Sequence, residues 1–360
     1  MTGPLSELIR SKRCILVCGG GGVGKTTISA SLAIAAARIR SRVLVLTIDP
    51  SHRLLQAFGY PDALLHSGGE PLELSSGVKD ALQVPASANL SIAVLNPRYV
   101  INGIVDQTLS PSKAGVLRKT VLYREMTQMI HGLQEYTAYE WVTRMISEDR
   151  YDLIVLDTPP AFHAKEFFNA PGKIRNLMES RVFQIFLPKT GSWFRSMISF
   201  SWIEKLLGEG LFRESVLFFE TFFSLRDRIL ARCQDLAAFF KSETVGVVAV
   251  GTPELAATHE LEGLAGFLRE KKIPLRAIVI NQVEMPDVGR WEEEVPLELP
   301  SGFPDKLKQL AEHHQARSER SLAALERLRQ GYSGLPVVAV PMSYSADGFE
   351  ILRNNSITLI

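Results

Sequence analysis

Cysteine is scarce in this chain, with three in 360 residues: Cys14, Cys18 and Cys233. No two form a CxxC pair and no Cys/His cluster has zinc spacing, which argues against a zinc ribbon and against a disulfide-framed secreted domain. Cys14 and Cys18 stand four apart on a predicted strand and so share a face; small buried hydrophobes are the plainer reading than a soft-metal pair. An excess of charge is lacking too. Lys and Arg number 40 against 39 Asp and Glu, a formal net charge of +1, which offers no global grip on nucleic acid. No uninterrupted run of about 18 apolar residues occurs, so no membrane span is expected. Met1 to Arg13 hold no apolar run of signal-peptide length. Free thiols, no span and no export signal together predict a cytoplasmic protein.

What is present is ordinary globular composition, 46% hydrophobic and 22% charged, which excludes disordered and collagen-like classes. The length suits one large α/β domain or two small ones. Arg13–Cys18 is a short apolar run ended by glycines, and Arg42–Thr47 is a second, ending at Asp49-Pro50. Leu90–Leu95, Tyr151–Leu156, Val245–Val250, Leu275–Ile280 and Pro336–Val340 read as further strands. Helical periodicity lies between most of them, beginning with the alanine-rich Gly24–Arg40. The alternation predicts an α/β fold, a doubly wound parallel sheet covered on both faces, with ligands at the carboxyl ends of its strands. Two long helical stretches interrupt it. The expected division is a nucleotide-binding core at 1–97, 151–162 and 243–360, with an inserted helical subdomain at 98–150 and 163–242. Ser67–Asn89 and the acidic Glu284–Asp305 read as surface loops.

Gly19-Gly-Gly-Gly-Val-Gly-Lys-Thr26 fits G-x-x-x-x-G-K-[ST] directly after a strand and before a helix, the context that makes the motif specific. Glycines at Gly19, Gly20, Gly21, Gly22 and Gly24, with Val23 between, let backbone N–H groups converge on phosphate oxygens, helped by the helix N-terminus. Lys25 brings a point charge to the β- and γ-phosphates and the Thr26 hydroxyl ligates magnesium, so ATP or GTP with Mg2+ is the expected ligand. Asp157 closes an apolar strand and reads either as a magnesium carboxylate acting through water or as a turn former. Asp49 ends the second strand on the same sheet edge; it either orients the attacking water or shapes the turn before Pro50.

Taken in order along the chain, these segments resemble the ArsA family, which includes arsenical-pump-driving ATPases and the GET-pathway ATPase that targets tail-anchored proteins. Gly19–Thr27 is similar to the family's Walker A segment, Asp49–Phe58 to its switch I and Asp157–His163 to its switch II. Ile280-Asn281-Gln282, Thr252-Pro253-Glu254 and Val340-Pro341-Met342 resemble three segments near the base. The closest likeness is to bacterial proteins labelled anion-transporting ATPases, through Gly132–Tyr139 and the run from Asp157 to Pro171. The resemblance implies Asp49 as the water-positioning carboxylate. It also implies adenine contact through Asn281 and Pro341, though Asn281 also reads as a turn former at a strand end. His163 falls on the switch II histidine, with plain packing as the alternative. Phosphate contact through Gly19–Thr27 and a homodimer closed across the nucleotides are implied as well.

Several positions depart from the family. Its signature lysine, which in related dimers reaches into the partner's site, falls at Gly20. Arg53 and Gln56 replace switch I residues; Arg53 or Lys165 is a candidate to supply the missing positive charge, a surface role being the alternative. The pump ATPases' cysteine triad and the targeting ATPases' CxxC clamp have no counterpart. Three roles follow from the resemblance: carriage of an apolar client, such as a membrane helix, along the phenylalanine-rich 177–223; an energising subunit beside a membrane partner in an anion or metalloid exporter; and a MinD- or ParA-like positional switch. Burial in the core is the plain alternative for those phenylalanines, and no nucleic-acid partner is expected.

Overall fold

A computed structural model describes residues 3–49, 53–60, 70–121, 123, 133–159, 161–179, 209–286 and 303–360. Eight strands are present among them: β1 Cys14–Gly19, β2 Arg42–Thr47, β3 Leu72–Glu73, β4 Asn89–Val94, β5 Leu153–Asp157, β6 Val245–Gly251, β7 Leu275–Val283 and β8 Val337–Pro341. They form one sheet in the order β3-β4-β2-β5-β1-β6-β7-β8. Every pairing is parallel except the short β3 against β4. All residues of β1, β5 and β6 are buried, as expected for strands covered on both faces. After β1 the chain winds outward to one side, returns to β5, then crosses to β6 on the other side of β1. That reversal opens the crevice where such sheets take ligands.

The helix Lys25–Ala37 follows β1 and is buried nearly all round. Its small residues explain this: Ala30, Ala33 and Ala35–Ala37 share one core cluster with the strands and with Leu352 and Leu359 of the closing helix Gly348–Leu359. A helix buried on nearly every face has little solvent side to present.

Two segments differ from the sequence expectation. Ser67–Asn89 is no plain surface loop, since it contains β3 and the helix Ser76–Ala81. Polar bonds rather than periodicity hold these short pieces: Lys79 Nζ donates to Glu73 Oε1 at 2.6 Å and Asn89 Nδ2 to Glu73 Oε2 at 3.1 Å. At the other segment, Glu284 is buried and a helix runs from Phe303 to Gly331; residues 287–302 lie outside the described set.

The chain divides into two compact units, 1–94, 149–165 and 243–360 in one and 95–148 with 166–242 in the other. The first holds the sheet. The second is helical, built on Pro97–Thr108, Pro111–Lys119, Leu133–Ser147, most of Ala161–Glu179, and Glu209–Phe239. Most of 177–223 lies outside the described residues or has undescribed side chains, including Phe183, Phe186, Phe212, Phe219, Phe222, Phe223, Trp193 and Trp202. Within the described part, Tyr139 packs on Phe167 and Phe240 with ring centroids 4.4 and 4.2 Å away, and Phe168 closes the cluster at 5.4 Å from Phe240. The Tyr139 hydroxyl donates to the Phe167 carbonyl at 3.0 Å, so the one polar atom of the group is satisfied.

Phe167 is fully buried in that cluster. Phe167→Ala is expected to cost about 3–5 kcal/mol, the sum of lost transfer energy and a residual cavity. Urea unfolding measures it, and a loss under about 1 kcal/mol would mean the cluster collapses around the gap.

Candidate functional site

Gly19 ends β1 so close to its neighbour that an added Cβ would lie 2.1 Å from the Val250 carbonyl oxygen. Gly22 and Gly24 have φ of +75° and +85°, a region that L side chains avoid. Gly21 and Gly22 face open space, with nothing within 4 Å of an added Cβ. Gly24 caps the helix Lys25–Ala37 without a side-chain hydrogen bond, which leaves first-turn N–H groups for an outside acceptor. Lys25 is buried and folds back, donating from Nζ to the Gly20 carbonyl at 2.6 Å. Burial pulls its pKa down, while Asp157, Cys18 and Asp49 pull it up; the nearby charge of Arg53 adds to the lowering.

Asp157 is the most connected group here. Its Oδ2 accepts from Thr26 Oγ1 at 2.8 Å and from Thr47 Oγ1 at 3.1 Å, and its Oδ1 from Ser29 Oγ at 3.3 Å. Burial raises its pKa above the usual carboxylate range, against the lowering effect of those hydroxyls and of Lys25. Register explains the convergence, because Asp157 stands opposite Val17 of β1 and Thr47 of β2. Thr47 also accepts from the backbone N–H of Asp49 at 3.1 Å. One hydroxyl thus joins the Asp157 carboxylate to the backbone of Asp49. Thr158 locks the following turn, with Oγ1 donating to the Val17 carbonyl at 2.9 Å.

Asn281 lies in β7, where pairing with β8 slips by one residue: Ile280 faces Ala339 but Val283 faces Pro341. Gln282 takes up the slip at φ 59°, the left-handed region. Asn281 Nδ2 donates to the Val23 carbonyl at 3.0 Å, and the same nitrogen would lie 2.2 Å from a Cβ at Gly24. Asn281 is therefore bound to the glycine loop itself, which its reading as a plain turn former did not include. Pro341 ends β8 on the same edge and is exposed. Beside these ends lies a cleft of about 750 Å³ lined by Thr252, Pro253, Gln282, Glu284, Arg317 and Met342, among others.

The remaining predicted residues are placed as follows. Thr27 is half-buried on the first helical turn. Gly20 is buried below Glu260, whose Oε2 would lie 2.4 Å from an added Cβ. Arg53 is exposed at the start of the helix Arg53–Ala57, within reach of Lys25 electrostatically. Lys165 stands 6.0 Å from the Phe267 ring centroid, over that ring. His163 lies on the helix Ala161–Glu179, its side chain outside the described set, as are Pro50, Ser51, His52 and Pro160. Cys14 and Cys18 are fully buried, and burial pushes the Cys18 thiol up to about 12. Sequence reasoning missed Ser29, Thr47 and Glu260. Ser29 follows Thr26 by one helical turn and Thr47 precedes Asp49 by two, so spacing to a named residue was the available signal.

A divalent cation with phosphates fits this arrangement. Thr26 and Asp157 already share a hydrogen bond, so a hard oxygen ligand and a carboxylate stand together at the foot of an open loop.

Comparison with known proteins gives the family. The family model described as anion-transporting ATPase matches residues 12–293. The chain is 27% identical over 276 residues to ATPase GET3 of Malassezia globosa, covering 76% of this chain and 74% of that protein. It is 27% identical over 286 residues to ATPase get3 of Schizosaccharomyces pombe, covering 79% and 78%. Similarity to ATPase ASNA1 homolog 2 of Paramecium tetraurelia is 28% identity over 279 residues, covering 77% and 78%.

Because burial raises the folded pKa of Asp157, ionising it works against the fold. The cost is full above the folded pKa and vanishes below the unfolded value of about 3.9. Asp157→Asn is therefore expected to melt higher than the parent at pH 8 without ligand, by about 1–2 °C for each kcal/mol regained in a chain of this length. The gap should shrink as pH falls toward 4. Paired calorimetric scans across that range test it; a variant melting lower at pH 8 would show that the hydroxyl bonds outweigh the burial cost.

Proposed function

The chain belongs to the anion-transporting ATPase family, and on that footing we propose that it binds ATP with magnesium at Gly19–Thr27 and hydrolyses it. The observation that carries this reading is the open glycine loop with Lys25, Thr26 and Asp157 converging at its base. In the proposed complex, backbone N–H groups of the loop and of the first helical turn receive the phosphate oxygens. Lys25 exchanges the Gly20 carbonyl for a β/γ-phosphate oxygen. Thr26, and Asp157 through a water, would hold a magnesium ion, which neutralises phosphate charge.

Asp49 would place the water that attacks the γ-phosphorus. Its backbone is tied to Thr47, and Thr47 to Asp157, so the position of switch I depends on the state of the buried carboxylate. The new P–O bond forms as the β–γ bridging bond breaks, and the water's proton leaves with the phosphate product. Loss of that phosphate would free both switch segments and let the helical unit move. Asn281 and Pro341 would border the base. Arg53 would add positive charge near the phosphates, a role supported by its effect on Lys25.

The proposal extends to a homodimer closed across the nucleotides, in the cytoplasm, that carries an apolar client such as a membrane helix. Its support is the phenylalanine-rich 177–223 of the sequence together with the likeness to GET3 ATPases.

Three variants test the ATPase reading. Lys25→Ala is expected to abolish ATP binding. Asp49→Asn should bind ATP with near-parental affinity while turnover falls about 10²- to 10⁴-fold, and Arg53→Ala should slow turnover while leaving binding in place. Phosphate release and equilibrium binding separate these outcomes. An Asp49→Asn form with parental turnover would remove Asp49 from the mechanism. Capture of a membrane-helix peptide by the Asp49→Asn form with ATP, but not with ADP, is the expected result for the client; equal capture in both states would reject it.

A further inference from the structure

The glycine loop is costly to hold in one shape. Five of the six residues Gly19–Gly24 are glycine, the residue that loses most backbone freedom on ordering. Among the described residues, two side chains bond its carbonyls: Lys25 Nζ at Gly20, and Asn281 Nδ2 at Val23 with a length of 3.0 Å. The two ties differ in fate. In the nucleotide reading above, Lys25 leaves Gly20 for a phosphate oxygen, so that tie is given up when the ligand arrives. The bond from Asn281 uses no atom that the phosphates need, and it can persist.

Asn281 reaches the loop from two strands away. It lies on β7, and β6 stands between that strand and β1. The extra residue of β7 opposite β8, with Gln282 at φ 59°, forms a bulge, a device that re-aims a side chain. Asn281 is buried, and its Nδ2 would lie 2.2 Å from a Cβ on Gly24. Gly24 is thus fixed as glycine twice, by its φ of +85° and by this contact.

The bond acts on one peptide. A trans peptide sets the Val23 C=O and the Gly24 N–H in opposite directions, so holding the carbonyl toward Asn281 holds the N–H away from it. Glycine takes positive and negative φ about equally. At Gly24 the same peptide could therefore turn over and present an oxygen where it now presents a donor. An oxygen there would repel phosphate, whereas a donor at the helix N-terminus attracts it.

We propose that Asn281 is a positioning residue for phosphate: its amide locks the Val23–Gly24 peptide against turning over, and the Gly24 N–H stays ready for a phosphate oxygen whatever base is attached. The proposal rests on the nucleotide reading given above, and it concerns the phosphate loop rather than the base.

The test is equilibrium binding of ATP and of inorganic tripolyphosphate, each with magnesium, to the full chain. Tripolyphosphate has no base, so it reads the loop alone. Asn281→Ala is expected to weaken both ligands by a common factor, about three- to tenfold, the range of one neutral hydrogen bond. Asn281→Asp keeps the shape and loses the donor while ionised; a protonated carboxyl regains one in its O–H, and burial raises the pH at which that happens. Its affinity for tripolyphosphate should fall below that of Asn281→Ala at pH 8 and rise above it as pH falls toward 5. The ratio of these two variants at each pH cancels the titration of the phosphates, Lys25 and Asp157. Recovery that stops at the Asn281→Ala level would show relief of charge alone and overturns the proposal. An Asn281→Ala form that loses ATP but keeps tripolyphosphate also overturns it, as does parental affinity for both. Melting scans establish that each variant is folded, and Asn281→Ser stands in for an Asn281→Ala form that is not. A parent that binds neither ligand defeats the phosphate-site reading together with this one.

Discussion

Asp157 stands at the end of β5 with 2% of its surface exposed, and three hydroxyls from two other segments converge on it. A buried carboxylate without partners would cost several kcal/mol, so its surroundings must stay in register. Thr26 and Ser29 require the helix Lys25–Ala37 to start at the right height above β1. Thr47 requires β2 to end level with β5. The pairings Val17 with Asp157 and Thr47 with Asp157 meet the strand conditions. Burial of the alanine-rich helix against sheet and closing helix meets the other. The sheet order, with β5 between β1 and β2, is what brings these groups to one edge.

The same carboxylate shapes the electrostatics of the loop. Burial works against the charge on both Asp157 and Lys25, and each favours the charged form of the other. The pair is thus held in a desolvated pocket where an added charge is felt more strongly than in water. Phosphates arriving at the loop would meet oriented N–H groups and an ammonium already ordered by the fold, the arrangement in which electrostatic stabilisation needs least reorganisation. Thr47 extends this to Asp49, because its hydroxyl donates to one site and accepts from the other.

How much of this was legible in the sequence differed by residue for physical reasons. Gly19–Thr26 was readable because its geometry is local: positive φ, a strand before and a helix after. Asp157 was readable because it closes an apolar run. Thr47 and Ser29 were not, since a hydroxyl in a strand or helix acquires a role only when the order β2-β5-β1 is known. Glu284 looked like the start of an acidic surface loop; its burial depends on Arg317, more than thirty positions away in sequence on another helix. Asn281 was assigned to the base, and its bond to Val23 arises from a register slip with β8 that no periodicity shows. Segment 67–89 hid β3 and a helix because both are too short for periodic patterning and are held by Lys79, Glu73 and Asn89.

Gly20 is where the family resemblance and the structure bear on each other most directly. The family resemblance sets at this position a signature lysine that reaches into the partner's site. Here the position is buried under Glu260, whose exposed, flexible side chain would meet any Cβ placed there at 2.4 Å. That end of the glutamate can swing away, so steric conflict alone does not account for glycine. Charge adds a second constraint, because a lysine at position 20 would have a carboxylate of its own chain within reach. Such a pairing favours capture in cis over a reach across a dimer. A lysine restored at position 20 would therefore act in trans only with Glu260 neutralised as well; among the described residues, the positive charge at the loop is that of Lys25, with Arg53 close enough for its charge to be felt there.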